Sequence, residues 1–237
     1  MAKMVGFSRN IKLQWVKKAI ELLGRNLSED EYKKEMNEYL SFEIESPTNL
    51  RKTREILMNI WYYDTDDITP FREEGLKLIE KHPDYLVPIT LCLTYLAYPV
   101  FADICKYMGR IFEYHDEVTN TIIKQKLFDA WGERGTLDSV CCRVTLTLKD
   151  YGILSSEKVN RYTLNKTEIT RYEVVAFLLA TAMKLDGNSY YTFVELNDFD
   201  VLFPFDYTIS KEQLLTDPHF VTTHFGGEMT IALKENF

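Results

Sequence analysis

The chain has 237 residues, of which 46% are hydrophobic and 14% aromatic, enough to build one or two globular domains. Its formal net charge of −8 argues against a protein that binds polyanions over its whole surface. The first ten residues lack the apolar core of a secretory signal, so we predict a cytoplasmic protein whose four cysteines are reduced core residues.

Residues 11–23 and 28–40 are the first two stretches in which apolar residues recur at helical spacing. The first stretch stops at Gly24, a residue type common just beyond a helix. The second begins at Ser28, and Glu31 follows three residues later, which is the pattern of a capping box. We therefore predict two helices here.

A third predicted helix begins at Ser46–Pro47, with the serine as N-cap and the proline in the first turn. Its early turns carry Arg51, Lys52 and Arg54. Positive charges near a helix N-terminus oppose the helix dipole, which favours an external role for them, such as contacting phosphate. The alternative is that the two arginines form ion pairs with nearby acids, namely Glu43, Glu45 or Glu55.

An acidic loop at residues 64–67 precedes a further predicted helix over 71–81, and its aspartates suit turns and capping better than a metal site. The next segment, residues 85–102, is uncharged for long enough to span a membrane. Two prolines interrupt it, and no Lys or Arg cluster lies beside it to set an orientation. We therefore predict a buried central helix that continues to residue 112, within an all-helical bundle over residues 1–115.

Residues 118–167 have the layout of a winged helix-turn-helix, the most frequent use of which is binding DNA. A helix is predicted over 118–131, a turn over 132–135 and a second helix over 136–151, with Gly152 as its stop signal. A polar connection and a β-prone piece follow, as in a small hairpin. The alternative is a surface helical hairpin followed by a β-turn.

The second helix of this unit has one apolar face and one polar face. Thr136 is its predicted N-cap, and the apolar face consists of Leu137, Val140, Cys141, Val144, Leu148 and Tyr151. The predicted contacts with DNA are Ser139, Arg143 and Lys149 on this helix, Lys158 and Arg161 on the hairpin, and Arg51, Lys52 and Arg54 as a second phosphate contact. Asp138 and Asp150 on the same helix favour recognition of the DNA backbone over the bases.

Charge is distributed unevenly along the chain. Residues 118–172 contain nine bases and six acids, whereas residues 173–237 contain three bases and ten acids. Residues 1–117 contain sixteen bases and twenty acids. The predicted winged unit is therefore the one net-basic part of the sequence, which is compatible with phosphate contacts.

The C-terminal part begins with an apolar helix over 172–185 and then changes character. Residues 203–209 alternate like a strand, a short helix follows from Ser210 to residue 215, and Gly226–Gly227 marks a hairpin. We expect a small antiparallel sheet that the wing helps to complete. The predicted fold is mainly α: a helical bundle over 1–115, then a winged-helix-like unit with an acidic α+β extension over 116–237.

No catalytic motif is recognisable in the sequence. It has no phosphate-binding glycine loop, no nucleophile elbow and no His-Glu-x-x-His, and its four histidines are scattered. His219 and His224 lie five apart in a predicted strand, which places them on opposite faces. We therefore predict a protein without enzymatic activity, cofactor, metal or small-molecule substrate.

The chain resembles the BrxA component of bacteriophage exclusion (BREX) defence systems over residues 10–155. Three blocks carry the resemblance: residues 26–32 followed by the basic helix after Ser46–Pro47, residues 75–112 with Asp103, and residues 139–154 ending in Tyr151-Gly152-Ile153-Leu154. The resemblance implies a helical, non-enzymatic DNA-binding accessory protein that works beside a methyltransferase and other defence subunits. The alternatives are a protein-interaction scaffold of the same system, with the acidic C-terminal sheet as its docking surface, and a winged-helix transcriptional regulator.

Overall fold

Helices make up most of the computed structural model, which describes residues 6–133, 135–225 and 228–234. The predicted mainly-α class is confirmed at this level, together with a small antiparallel sheet near the C-terminus. The helices are α1 (Leu13–Leu23), α2 (Glu29–Ser41), α3 (Pro47–Trp61), α4 (Thr69–Lys81), α5 (Leu86–Ala97), α6 (Pro99–Phe112), α7 (Asn120–Trp131), α8 (Gly135–Asp150), α9 (Tyr172–Asp186) and α10 (Lys211–Thr216). The strands are β1 (Glu117–Val118), β2 (Leu154–Lys158), β3 (Arg161–Leu164), β4 (Thr167–Ile169), β5 (Tyr191–Thr192), β6 (Phe205–Tyr207), β7 (Phe220–Phe225) and β8 (Glu228–Leu233).

The predicted cap residues of the first helices are confirmed. Ser28 and Glu31 form the two reciprocal bonds of a capping box at the start of α2. The Ser46 side chain accepts a hydrogen bond from the backbone N–H of Asn49, with Pro47 as the first residue of α3. Gly24 caps the end of α1. The local sequence signals are therefore sufficient to place these helix ends.

The prediction of one central helix that continues to residue 112 is wrong. The chain makes a short 3-10 turn at Pro83–Tyr85, forms α5, and then bends by 119° into α6 at Tyr98. Pro99 explains the corner, because a proline disfavours helical backbone at the residue before it but suits the first turn of a new helix. Among the described residues, no single helix is long and apolar enough to cross a membrane.

Helix α9 is buried along most of its length and packs against α4 and α5. Gly75 of α4 permits this close approach, because a Cβ there would lie 2.9 Å from Ile89 and 3.4 Å from Phe177. At the start of α9, Lys81 and His82 bind the Glu173 carboxylate and, with a backbone hydrogen bond, lower its pKa to about 2. The predicted boundary at residue 115 stays a prediction, and the two predicted halves share one apolar core.

The strands of the described residues form three separate small sheets. β1, β3 and β2 are antiparallel neighbours in that order, β4 pairs with β6 in parallel, and β8 lies between β5 and β7. The predicted hairpin of two C-terminal strands is present as β7 and β8, while Gly226–Gly227 lie outside the described residues. The expectation that the wing helps to complete the C-terminal sheet is wrong, because β2 and β3 pair with β1 instead.

Candidate nucleic-acid interface

Helices α7 and α8 pack against each other, and the hairpin of β2 and β3 follows α8 directly. Hydrogen bonds through Asn160 connect the hairpin to α7. Asn160 lies at the hairpin turn and has a positive φ of 60°. The Asn160 side chain accepts a hydrogen bond from the backbone N–H of Asn120, and the Asn120 amide donates to the Tyr162 hydroxyl at 3.0 Å. Two helices and a hairpin therefore form one connected unit with strand β1.

Helix α8 buries the apolar face that its sequence predicts and ends as predicted. Gly152 has φ +76°, its N–H donates to the Lys149 carbonyl, and the Ile153 N–H donates to the Leu148 carbonyl. These two bonds are those of a Schellman motif. The predicted N-cap Thr136 is wrong, because the helix already includes Gly135; the preceding Arg134 lies outside the described residues. The prediction that all four cysteines are core residues is also wrong, since Cys142 is exposed on this helix.

The solvent-exposed side of α8 carries Ser139, Cys142, Leu146 and Lys149. The Ser139 hydroxyl donates to the Thr136 carbonyl at 3.2 Å, so it is partly engaged by its own helix. Lys149 lies in the last turn, where a positive charge is favoured by the helix dipole. This side of the helix therefore offers one cation, one hydroxyl, one thiol and one exposed leucine.

Arg143 does not join that exposed side, and lies half-buried between α8 and the start of α3. It lines a groove of about 530 Å³ together with Arg9, Ser46, Asn49 and the acids Glu43 and Glu45. Arg9 in turn donates hydrogen bonds to the Asn49 side chain and the Ser8 carbonyl. Two guanidinium groups thus face a groove at the N-terminal end of a fifteen-residue helix, an end that favours anions.

The Glu43 carboxylate in this groove is already neutralised by its own neighbours. Lys12 forms an ion pair with it, Trp15 donates its indole N–H at 3.0 Å, and Gln14 donates its amide. These contacts, led by the hydrogen bond from Lys12, lower the pKa of Glu43. Glu43 therefore offsets less of the positive charge in the groove than the position of its carboxylate suggests.

The three basic residues of α3 differ in how freely they can reach a ligand. Arg51 and Lys52 are exposed and form no ion pair within the described part of the chain. Arg54 is half-buried, pairs with Glu55 at 2.6 Å and donates to the Asn37 side chain at 3.0 Å. The alternative prediction of an ion pair is thus confirmed for Arg54 with Glu55. Arg54 is consequently the weakest of the three candidates for a phosphate contact.

The first half of α3 brings together residues that the sequence placed far apart. Its Ser46 side borders the groove with Arg143, and a second groove on another side is lined by Arg51 and Arg54. Arg51 also borders a third pocket with Lys52. The predicted main contact on α8 and the predicted second contact on α3 are therefore neighbours, joined by Arg9.

The hairpin residues are exposed but not equally free. Lys158 lies at the end of β2 beside Val159, a residue that is 97% exposed at the tip. Arg161 donates a hydrogen bond to Glu117 of β1 at 2.9 Å. This ion pair lies at the surface, so another anion can replace Glu117 as the partner of Arg161. The structure thus places Lys158 and Arg161 on the hairpin, apart from the groove that contains Arg143.

The two acids of α8 have structural partners. Asp138 pairs with Lys124 of α7. Asp150 accepts a hydrogen bond from the backbone N–H of Leu13 at 2.6 Å, and nearby Thr147 accepts one from the N–H of Ile11 at 3.0 Å. Since the N-cap residue of α1 provides no side-chain cap, Asp150 serves as the cap of α1 from a distant helix.

Replacing Asp150 by alanine is expected to lower the free energy of unfolding by about 1 kcal/mol, the usual cost of losing a helix cap. Chemical denaturation of the two proteins measures the difference. Asp138→Ala is the matched control, because the Asp138–Lys124 pair is largely exposed and contributes less than about 1 kcal/mol. Equal stability losses for the two variants would contradict the assigned capping role.

Arg9 is the residue that sequence reasoning missed. It precedes α1 and belongs to no periodic pattern, and its contact with Asn49 spans forty positions. A cluster of three or more potential metal-ligating His, Cys, Asp or Glu side chains is absent from the described residues. No protein-family model matches the chain, and neither a curated protein nor a solved structure matches it significantly.

Proposed function

We propose that the protein binds double-stranded DNA through contacts that are mainly to phosphates, with little sequence preference. The observation that carries the proposal is the convergence of Arg9 and Arg143 on one groove, with Arg51 and Lys52 on adjacent sides of the same helix. Four cations distributed around one helix suit contacts with several phosphates of a duplex better than a site for one small anion.

The element order supports a winged-helix interpretation of the unit from α6 to β3. Helix α6 is followed by strand β1, helices α7 and α8, and a hairpin whose strand β3 pairs with β1. In a winged helix the second helix of the pair contacts the DNA and the hairpin lies along the backbone. We assign those roles to Ser139 and Lys149 on α8 and to Lys158 and Arg161 on the hairpin.

The side chains on the exposed side of α8 favour contacts with the DNA backbone over contacts with the bases. The exposed side of α8 offers one basic residue, Lys149, and no Asn, Gln or Arg that would form paired hydrogen bonds with a base edge. Arg143, which has the right side chain, lies in the groove toward α3. We therefore expect affinity to depend on phosphate and to vary little with sequence.

A salt titration tests the proposal. Binding of a fluorescent duplex should be measurable at about 50 mM salt and should weaken steeply by about 200 mM. The logarithm of the association constant should fall with the logarithm of salt concentration by about 0.9 for each phosphate neutralised. Absence of binding at the lower salt concentration, or affinity independent of salt, would contradict DNA binding through these cations.

The role as an accessory subunit of a BREX-type defence system is part of the same proposal, and it is supported by the resemblance over residues 10–155. Co-purification from a host that carries such a system tests it. The expected result is DNA binding together with recovery of a methyltransferase or another defence subunit. A winged-helix regulator would instead dimerise on a palindromic site, which footprinting distinguishes.

A protein-interaction scaffold is the second candidate, and the edge of the C-terminal sheet favours it. β7 is an outer strand of its sheet within the described residues, and Phe220–Phe225 contain no Lys, Arg, Asp, Glu or Pro. Outer strands without such residues are open to pairing with a partner strand. Stable co-purification with a partner in the absence of any DNA binding would favour this function.

A further inference from the structure

A pocket of about 610 Å³ lies where the corner between α5 and α6 faces helix α3. Its volume is within the range of sites that hold small molecules. Ala97, Tyr98 and Pro99 form the corner, α3 contributes one side, and Trp131 at the end of α7 closes another. The pocket exists because the chain bends by 119° at Tyr98 instead of continuing as one helix.

The walls of this pocket are fixed by packing and hydrogen bonds. Tyr98 packs edge-on against Phe7, and its hydroxyl accepts a hydrogen bond from the Asn59 amide at 2.9 Å. Trp131 donates its indole N–H to Asp103 at 2.8 Å. Both residues are only 6% exposed, so their rotamers are set before a ligand arrives, and the part of each that lines the pocket is a rigid apolar wall.

One side of the pocket is positively charged. Arg51 and Lys52 both border it, exposed and without an ion pair among the described residues. Glu55 also borders it, but its carboxylate accepts hydrogen bonds from Arg54 at 2.6 Å and from the Tyr63 hydroxyl at 3.2 Å. Apolar aromatic walls beside two available cations favour a ligand that is a flat ring at one end and an anion at the other.

We propose that this pocket binds one nucleotide, with the base against Tyr98 and Trp131 and the phosphate beside Arg51 and Lys52. Asn59 can recognise the base edge, because its amide N–H₂ is used by Tyr98 while its carbonyl oxygen can accept. The nucleotide is either free in solution or an unpaired nucleotide of a DNA strand. The inference deepens the proposed DNA binding in that it uses the same two cations.

Titration with dAMP, followed by tryptophan fluorescence, tests the free nucleotide. We expect quenching by dAMP and binding that is on the order of tenfold weaker for deoxyadenosine or inorganic phosphate, each of which lacks one half of the ligand. Ala97→Leu fills the pocket without changing a charge and should abolish the quenching. Ala97→Val, a smaller enlargement at the same lining position, is the second variant, should Ala97→Leu fail to give the thermal melting curve of a folded protein.

A second pair of measurements tests the nucleotide within a strand. A duplex with one unpaired 3′ adenosine should bind the wild type about tenfold more tightly than the blunt duplex, and the pocket-filling variants should lose this difference. The blunt duplex should bind equally tightly to the wild type and to the variants. If the blunt duplex binds to none of them, the proposed DNA binding is contradicted, whereas the pocket is still tested by dAMP. The pocket proposal is overturned if neither dAMP nor the unpaired adenosine distinguishes the wild type from the filled variants.

Discussion

A variant that loses three of the basic side chains around α3, Arg51→Gln/Lys52→Gln/Arg143→Gln, should bind duplex DNA on the order of 100-fold more weakly than the wild type. Each phosphate contact is worth at least about 1 kcal/mol when charged hydrogen bonds are lost, and about 1.4 kcal/mol corresponds to a factor of ten. The slope of affinity against salt should also fall by about 2.7, which is 0.9 for each contact. Glutamine keeps part of each side chain, so packing changes little.

The matched control removes the same charge elsewhere. Lys17→Gln/Lys34→Gln/Lys77→Gln changes three exposed lysines, none of which borders the three grooves beside α3. Its DNA affinity should stay within a few-fold of the wild type, because long-range effects of net charge are screened beyond about 10 Å at 0.1 M salt. Equal losses in both triple variants would mean that net charge, rather than the surface around α3, governs binding.

Replacing Gly109 by alanine should destabilise the protein by roughly 2 kcal/mol or more, although the same change normally stabilises a helix. A Cβ at this position would lie 2.1 Å from the backbone oxygen of Asp200 and 3.1 Å from Cβ of Phe203. The clash is with backbone, so α6 and the turn at residues 200–202 would have to separate. That movement would also strain the Arg110–Asp200 ion pair and the stacked rings of Phe112 and Phe203.

Thermal unfolding measures this effect, and a loss of roughly 4–8 °C in Tm is expected for a protein of this size. Gly24→Ala is the control, because Gly24 has φ −64° and an added Cβ would meet nothing closer than the Glu21 carbonyl at 3.5 Å. Its stability should be unchanged or slightly higher. A Gly109→Ala protein as stable as the wild type would show that α6 is not held against this turn.

The helix ends could be predicted because the signals that set them are local. The capping box at Ser28 and Glu31 and the stop at Gly152 involve residues within a few positions of each other. The corner at Tyr98 was missed because residues 85–102 are apolar on every side, so no periodicity shows where one helix ends. Pro99 alone is ambiguous, since a proline near a helix end also fits a continuous bent helix.

The candidate interface was only partly predictable for a similar reason. The bases of α3 and α8 were visible in the sequence, but their position beside the same groove depends on contacts between residues more than ninety positions apart. Counts of charged residues along the chain also overstate how many basic side chains are available to contact DNA. Lys124, Arg161 and Lys166 all add to the basic excess of residues 118–172, yet each pairs with an acid. The acids that pair with Arg161 and Lys166 lie outside that stretch.

The burial of α9 against α4 and α5 has a consequence for how the protein is made. When α5 leaves the ribosome, the part of its apolar surface that α9 covers stays exposed until residues 98–186 have also been synthesised. At about 5–20 residues per second, that interval lasts roughly 5–20 s. The unit from β1 to β3 is synthesised within this interval, so it can fold before α9 is available to pack against α4 and α5. Nascent chains shorter than about 190 residues should consequently be the ones that need chaperones most.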